Sequence, residues 1–349
     1  MNFAKATAKY EEWLGRQLRI VVDDLAFKHE QMRSAPFPFL RATYYRWAQL
    51  FPEICTKASK APRALAVGDL HVENFGTWRD GEGRLIWGIN DFDEVWRLPY
   101  TNDLVRLTAS AMIAGMACHA RDAAAAILDG YRGALDAGGL PFALAEHHPV
   151  LRHMATARLH EPERFWEKLN AWPEAAELAA GAIKTITRAM PERGLKWRLL
   201  SRRAGLGSLG RERYVAVATW RGGLVAREAK ALAPSAASWA EKRTGANPVL
   251  YQEMLDHAVR CPDPFVRVQK KWIVRRLAPD CSRIELSALP KERDEIRLLR
   301  AMGWETANVH LGTVAAKAIQ ADLKERGNEW LLDAARKMEK AVTADFTAQ

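Results

Sequence analysis

The stretch GDLHVENFG, residues 68–76, brings together side chains that could do chemistry. A carboxylate such as Asp69 can accept the proton of an attacking hydroxyl group. An amide such as Asn74, five residues later, can give its oxygen to a Mg²⁺ ion. The same composition suits a polar turn, in which Asp and Asn side chains bond to nearby backbone groups. This stretch alone does not decide between a catalytic loop and a turn.

A second acidic stretch, NDFDE at residues 90–94, follows the apolar run LIWGI. Two strand-like segments, NFGTW and RLIWGI, lie between the two stretches, and an Asp-Gly turn separates them. A hairpin would therefore bring Asp91 and Asp93 close to Asn74. Carboxylate and amide oxygens are the ligands that Mg²⁺ prefers. The sequence predicts a magnesium site at Asn74, Asp91 and Asp93, with an acidic surface turn as the alternative.

The third feature is the segment GLGSLG, which has the full G-x-G-x-x-G pattern and precedes the strand-like run RYVAVATW. A dinucleotide-binding fold would place these glycines before a helix, so a loop that covers phosphates ahead of a strand fits better. A lysine near the end of the next strand-like run, LVAREAKAL, is in a position to contact phosphates. The predicted nucleotide-binding residues here are Gly205, Gly207, Ser208, Gly210 and Lys230.

The elements that must position these residues change in type along the chain. The chain has 349 residues and 48% hydrophobic content, enough for sizeable cores. Helical spacing dominates residues 1–200, β-type patterns dominate residues 201–288, and residues 289–349 return to helical spacing. We therefore predict an α+β protein with a mostly helical region first, a smaller β-containing region second, and C-terminal helices that pack back on the first.

The composition and charge of the chain limit the classes of binding partner that we expect. The formal net charge of +10 and the pI near 9.5 favour anionic ligands such as nucleotides. The basic run VRVQKKWIVRRL is typical of a half-exposed strand, so a nucleic-acid partner is not expected. The apolar run at residues 107–118 is too short to span a bilayer, and we expect a buried helix there and no membrane partner. Scattered cysteines and a charged N-terminal segment favour a cytoplasmic location.

One group of histidines and one single histidine could also have a functional role. Glu146, His147, His148 and His153 lie close in sequence, but Pro149 interrupts a common helical face, so surface histidines are favoured over a metal site. His310, in ANVHLGT, is expected to be a packing or hydrogen-bonding residue.

The three motifs together resemble those of protein kinases, although their order differs. A kinase runs glycine loop, lysine, catalytic loop and Asp-Phe-Gly, whereas this chain has the catalytic loop and Asp-Phe-Asp before the glycine loop and lysine. A circular permutation explains this order. The chain is similar to a bacterial family known as domain of unknown function 2252, which looks like a kinase-type fold in this order. The matching stretches are PFPFLRATYYRW, GDLHVENFG, NDFDE, DLVRLTAS, GLGSLGRERYV, Lys230 with its flanks, and WIVRRL.

This resemblance implies a bilobal, circularly permuted protein-kinase-like fold and an ATP- and Mg²⁺-dependent phosphotransferase. It makes Asp69 the catalytic base and Asp103 a buried support for its loop. A kinase lysine is oriented by a glutamate on a following helix, and here Glu253 is preferred over Glu241 for that role. GDLHVEN also resembles the loop of aminoglycoside and choline phosphotransferases, which implies a small-molecule acceptor that the sequence does not identify.

Some residues depart from the kinase pattern. Asp93 replaces the glycine of Asp-Phe-Gly, Glu212 replaces the valine after the glycines, and no activation segment is recognisable. A protein substrate is therefore not expected. The alternatives that stay open are a nucleotide-binding pseudokinase or regulatory module without transfer activity, and a metallophosphoesterase.

Overall fold

The structure is a computed structural model that describes residues 1–144, 148–156, 162–175, 179–245, 247–279, 281 and 293–349. The helices are α1 Phe3–Gln17, α2 Val22–Ser34, α3 Pro36–Ala42, α4 Tyr44–Ile54, α5 Thr101–Ile113, α6 Ala120–Ala137, α7 Pro149–Thr156, α8 Pro162–Asn170, α9 Ala180–Ala189, α10 Ala236–Ala240, α11 Tyr251–His257, α12 Arg293–Leu311, α13 Ala316–Glu325 and α14 Trp330–Thr347. The strands are β1 Arg63–Ala66, β2 Phe75–Arg79, β3 Leu85–Ile89, β4 Trp96–Pro99, β5 Phe142–Ala143, β6 Arg198–Ser201, β7 Arg213–Trp220, β8 Gly223–Ala231, β9 Arg267–Gln269 and β10 Trp272–Leu277.

In the part of the chain that the structure describes, the strands form three separate antiparallel sheets. Strands β1 and β4 pair with each other, β2, β3 and β5 form a second sheet, and the third has the order β6-β7-β8-β10-β9. Helices occupy most of the remaining chain before β6 and after β10. The predicted α+β class is confirmed.

Helices α5, α6, α12 and α14 form much of the largest core. All but the last two residues of α5 are buried, as expected for a helix enclosed on every side. The buried helix predicted for residues 107–118 is confirmed as far as Ala111, but the helix ends at Ile113 and residues 112–118 are partly or fully exposed. Helices α6 and α12 approach each other closely because each presents a glycine: a Cβ on Gly130 would lie 1.8 Å from the carbonyl oxygen of Arg300, and one on Gly303 would lie 2.0 Å from that of Ile127.

The β2–β3 hairpin predicted between the two acidic stretches is present. Its register pairs Phe75 with Ile89, and the backbone N–H of Asn90 donates to the carbonyl of Asn74 at 3.1 Å. The turn is fixed by Asp80, whose carboxylate accepts bonds from the backbone of residues 82 and 84. The hairpin therefore places the end of GDLHVENFG beside the start of NDFDE.

The five-stranded sheet is covered on both faces. Ala182 and Ile186 of α9, with Met190 directly after the helix, pack against one face, and Leu169 with Phe165 on α8 packs against the other. The glycine-rich segment connects β6 to β7, and Lys230 lies near the end of β8. The β-type pattern predicted from residue 201 onward corresponds to this sheet, which begins at Arg198.

The chain after the sheet returns to the helical part of the molecule. Helix α12 packs against α6 and β1, and α14 packs against α4 and α5. The division predicted between residues 288 and 289 lies outside the described residues. Across the portion of the chain that the structure describes, no helix is both long and apolar enough to cross a membrane.

Candidate active site

A buried hydrogen-bond network holds the backbone just before Asp69. The carboxylate of Asp103, on α5, accepts the N–H groups of Val67 at 2.7 Å and Gly68 at 3.0 Å. The same carboxylate lies 3.1 Å from Nε2 of His310, and Nδ1 of that ring lies 2.8 Å from the hydroxyl of Tyr131. Asp103 and His310 are both fully buried. The predicted hydrogen-bonding role of His310 is confirmed, since it links α6 and α12 to this loop.

Asp69 follows this network and contacts a buried arginine. The guanidinium of Arg106, one turn after Asp103 on α5, donates to Oδ1 of Asp69 and lies over the rings of Tyr44 and Trp47. Burial raises the pKa of Asp69 to about 7, although Arg106 acts in the opposite direction. Asp69 therefore changes protonation near neutral pH, the range that suits a proton acceptor.

Asn74 closes the loop on itself. Its Nδ2 donates to the carbonyl of Asp69 at 2.9 Å, and its own carbonyl accepts the N–H of Asn90. The side chains of Asn74, Asp91 and Asp93 line one cavity together with Asp69. The three predicted metal ligands and the predicted base are thus neighbours.

Lys230, on the five-stranded sheet, contacts two of the carboxylates that line this cavity. Its Nζ lies 2.6 Å from Oδ2 of Asp93 and 3.4 Å from Oδ1 of Asp91. The lysine is only 3% exposed, so the ion pair is largely shielded from water. Residues more than 130 positions apart in sequence are therefore in direct contact.

The glycine-rich segment covers Asp69. Gly205 and Gly210 have positive φ angles of 74° and 91°, and a short 3₁₀ turn lies between them. Gly207 comes so close that a Cβ on it would lie 3.1 Å from Oδ2 of Asp69 and 3.1 Å from the carbonyl oxygen of Arg41. Lys28 of α2 donates to the carbonyl of Gly207 at 3.1 Å. The predicted phosphate loop and the predicted base thus face each other.

Two cavities meet at this segment, and Gly205 borders both. The cavity that contains Asp69 is small, ≈ 40 Å³, enough for a few water molecules. The second is a cleft of ≈ 1150 Å³ between the sheet, α8, α11 and the β2–β3 hairpin. Among the described residues, its charged lining side chains are mostly cationic: Arg164, Lys168, Arg202, Arg213, Arg260, Arg275 and Arg276, against Asp256 and Asp263.

The predicted pairing of Lys230 with Glu253 is wrong. Glu253 lies on α11, as expected, but its carboxylate binds Arg97. Glu241 binds Arg63 and the indole of Trp96. The reason is that the ends of α10 and α11 contact the β4 region, so their carboxylates meet cations there, and Lys230 takes its partners from the Asp-Phe-Asp stretch.

A buried carboxylate that the sequence analysis missed lies two residues before Lys230. Glu228 is 1% exposed and contacts Arg213 at 3.0 Å, Arg275 at 2.7 Å and Arg202 at 2.5 Å. Burial alone would raise its pKa, but the three guanidinium groups hold that pKa well below its usual value. Its position at i−2 on the same strand face as Lys230 was the available signal.

Three cations beside Asp69 were also not predicted: Lys28, Arg106 and Arg211. Arg211, directly after the last glycine, is 2% exposed and donates to Glu94 at 2.9 Å. Arg106 could have been found as a single arginine in an apolar helix, three residues after Asp103. Lys28 has no comparable signal, because α2 contains several charged residues.

The histidine group near residue 148 lies only partly within the described residues. Glu146 and His147 lie outside the described residues, and His153 lies on α7. Within the described ranges, no group of three or more His, Cys, Asp or Glu side chains is arranged to hold a metal ion.

The molecule is thus an α+β protein with a charged site where its helical part meets the five-stranded sheet. Residues 19–171 match the model of a family described as an uncharacterized protein conserved in bacteria, DUF2252. The match includes GDLHVENFG and NDFDE and supports the resemblance to this bacterial family of unknown function. The glycine-rich segment and Lys230 lie beyond the matched residues. No curated protein and no solved structure matches the chain.

Proposed function

We propose that the protein is an ATP- and Mg²⁺-dependent phosphotransferase with a circularly permuted kinase-like fold, acting on a hydroxyl group of a small molecule. The arrangement of two contacts carries the proposal: Nζ of Lys230 lies 2.6 Å from Oδ2 of Asp93, and Gly207 lies over the carboxylate of Asp69. In kinases a glycine-rich loop covers the phosphates, a strand lysine contacts them, and an aspartate receives the acceptor's proton. The corresponding residues here are adjacent in space although their sequence order is reversed.

The donor set fits a magnesium ion. Asp91, Asp93 and Asn74 offer oxygen atoms to one cavity, and Oδ1 of Asp93 is buried with no hydrogen-bond partner among the described residues. Mg²⁺ typically uses only one or two carboxylates and takes its other ligands from phosphates and water. Bound there, the ion would neutralise charge on the transferred phosphate group.

The large cleft supports a nucleotide site beside these residues. Its volume is ample for a nucleotide, and its lining combines apolar side chains with several arginines. Gly205 borders both the cleft and the cavity that contains Asp69. A nucleotide in the cleft would therefore place its terminal phosphate next to the glycine-rich segment.

The proposed chemistry follows from this arrangement. The acceptor hydroxyl forms a bond to the terminal phosphorus of ATP while the bond from that phosphorus to the bridging oxygen breaks, and ADP leaves. Asp69 receives the hydroxyl proton. Arg106 orients the carboxylate, and Asp103 with His310 fixes the backbone that carries it.

The first test is ligand-induced thermal stabilisation. ATP with Mg²⁺ at 100 times its dissociation constant should stabilise the protein by about 2.7 kcal/mol. Asp91→Asn should remove most of this shift, whereas Asp129→Asn, at an exposed pair with Arg300, should leave it unchanged. A wild-type protein without any shift, or an unchanged shift in Asp91→Asn, would refute the nucleotide and metal assignment.

The second test separates transfer from binding. Asp69→Asn should retain the ATP-dependent shift but lose turnover of ATP, measured as ADP release. Turnover at the wild-type rate in Asp69→Asn would eliminate Asp69 as the base.

A second candidate function is nucleotide binding without transfer. It is favoured by the small size of the cavity around Asp69, which leaves no room for an acceptor while Gly207 covers the carboxylate. This candidate predicts the thermal shift with ATP and Mg²⁺ but no ADP release, even to water.

A further inference from the structure

Lys28 is a buried cation without a direct ion-pair partner among the described residues. It is 4% exposed, and its one hydrogen bond among the described residues is to a neutral group, the carbonyl of Gly207 at 3.1 Å. No described carboxylate lies within ion-pair distance of its Nζ. Lysine is almost never fully buried without a charged partner, because burial of an unpaired ammonium group is costly.

The surroundings of Lys28 contain further donors without acceptors. Nε and Nη1 of Arg211 are buried with no hydrogen-bond partner among the described residues, although Nη1 is 3.6 Å from Asp93. Nε of Arg41 and the hydroxyl of Tyr44 are likewise buried with no hydrogen-bond partner among the described residues. All four side chains line the cavity that contains Asp69. Buried donors of this number normally have partners, so their concentration here indicates a missing acceptor of hydrogen bonds.

The geometry points to a ligand anion at this position. We infer that Lys28 binds a phosphate or carboxylate group carried by the acceptor molecule, next to the hydroxyl that Asp69 activates. This inference rests on the proposed function and adds the chemical class of the substrate: a hydroxyl compound that is already anionic.

The location separates this anion from the phosphates of the nucleotide. Lys28 belongs to the N-terminal helix α2 and meets the glycine-rich segment at Gly207, where Asp69 and Arg41 also approach. Lys230 and the cleft residues serve the nucleotide, whereas Asp91 lines the same cavity as Lys28. The acceptor cavity includes Lys28 and Arg41, whereas the cleft includes neither.

The present contact of Lys28 indicates how the site would open. The cavity is too small for an acceptor, so the turn at Gly207 must move away from Asp69 before an acceptor can enter. That movement breaks the bond from Lys28 to the carbonyl of Gly207, and an incoming anion replaces it. Burial lowers the pKa of Lys28 to about 8, and Arg211 adds to the effect, although the carboxylates of Glu11, Glu94 and Asp69 act in the opposite direction. A bound anion would favour the charged form of this lysine.

Calorimetric titration with inorganic phosphate tests the inference. The protein is first saturated with a non-hydrolysable ATP analogue and Mg²⁺, so that the nucleotide site is occupied. Wild-type protein should bind phosphate under these conditions. Lys28→Gln keeps a donor for the carbonyl of Gly207 but removes the charge, and phosphate should bind at least about tenfold more weakly. Lys28→Arg should stay within about threefold of wild type. Lys60→Gln, at an exposed lysine, should bind phosphate as wild type does.

Several results would overturn the inference. Equal phosphate affinity in Lys28→Gln and wild type would do so, as would phosphate binding that disappears when the analogue is bound, which would assign the anion to the nucleotide. Absence of phosphate binding to the wild-type protein would also overturn the inference. Failure of the analogue itself to bind would instead refute the proposed function, and the two failures are read from separate titrations.

Discussion

At the scale of single residues, the candidate site depends on ionisable groups that are held by burial. Asp103, His310 and Tyr131 form a hydrogen-bonded series that ends at the backbone before Asp69. Such a network stabilises only while every member is present, because a buried polar group without its partner keeps its desolvation cost. Mutation of one member should therefore lower the free energy of unfolding substantially.

We expect Asp103→Ala to lower the free energy of unfolding by about 3 to 5 kcal/mol, because it leaves two backbone N–H groups and His310 without their acceptor. Urea denaturation measures this change. Asp129→Ala, at an exposed ion pair, should cost less than about 1 kcal/mol. Equal costs at the two positions would contradict a supporting role of Asp103.

Glu305 should make stability depend on pH. Burial raises the pKa of Glu305 to about 7, although Arg260 and bonds from Asn308 and Ile89 act against this. Between pH 4.5 and 7 the unfolded state has lost this proton while the folded state retains it. Stability therefore falls as pH rises, by about 3 kcal/mol from this group. Glu305→Gln should flatten the decline in urea unfolding over that range, and an unchanged slope would contradict the assignment.

At the scale of elements, close contacts between backbones set the geometry that supports the site. Helices α6 and α12 contribute Tyr131 and His310, and they meet through Gly130 and Gly303. The hairpin β2–β3 and the segment between β6 and β7 likewise bring their backbones close to the site. The positions of these elements therefore fix the positions of the charged groups.

Gly130→Ala tests this contact. Alanine favours a helix by roughly 1 kcal/mol over glycine, but a Cβ at residue 130 would lie 1.8 Å from the carbonyl oxygen of Arg300, so the helices must separate. We expect a net loss of at least about 2 kcal/mol in unfolding free energy. Gly133→Ala, on the same helix, meets only the ring of Trp304 at 3.2 Å and should cost less. A Gly130→Ala protein more stable than wild type would show that α6 and α12 can accommodate a Cβ at this position.

At the scale of the whole molecule, the N-terminal helices join the helical part to the sheet. Tyr10 of α1 stacks on Tyr45 at 4.4 Å and meets Trp239 at 5.4 Å. Directly before α2, the N–H of Val21 donates to the carbonyl of Gly210 at 2.9 Å. These contacts link both parts of the molecule, so we expect them to unfold together.

Urea unfolding followed by circular dichroism and by tryptophan fluorescence should give coincident transitions in wild type. Tyr10→Ala should lower the unfolding free energy by about 3 to 5 kcal/mol, the usual cost of truncating a buried aromatic residue. The midpoints of both signals should decrease together. Separate transitions for the two signals in wild type would contradict this coupling.

Features that depend on residues close together in sequence could be predicted, whereas contacts between residues far apart in sequence could not. The hairpin between Asn74 and Asp91 follows from a turn signal and alternating residues. The partner of Lys230 is not local: a helical glutamate was expected, and Asp93 occupies that role because α11 faces Arg97. Lys28 was missed because its contact is with a backbone carbonyl 179 residues away, and no side-chain pattern records such a contact.

The position of Lys230 has a thermodynamic consequence for the proposed activity. Its ammonium group shares the carboxylates of Asp91 and Asp93 that a divalent cation would need, so the two cations compete. A metal ion alone must displace the lysine at a cost. A nucleotide offers the lysine its phosphates as new partners and removes that cost. Metal and nucleotide should therefore bind with positive cooperativity, each raising the affinity of the other by the same factor.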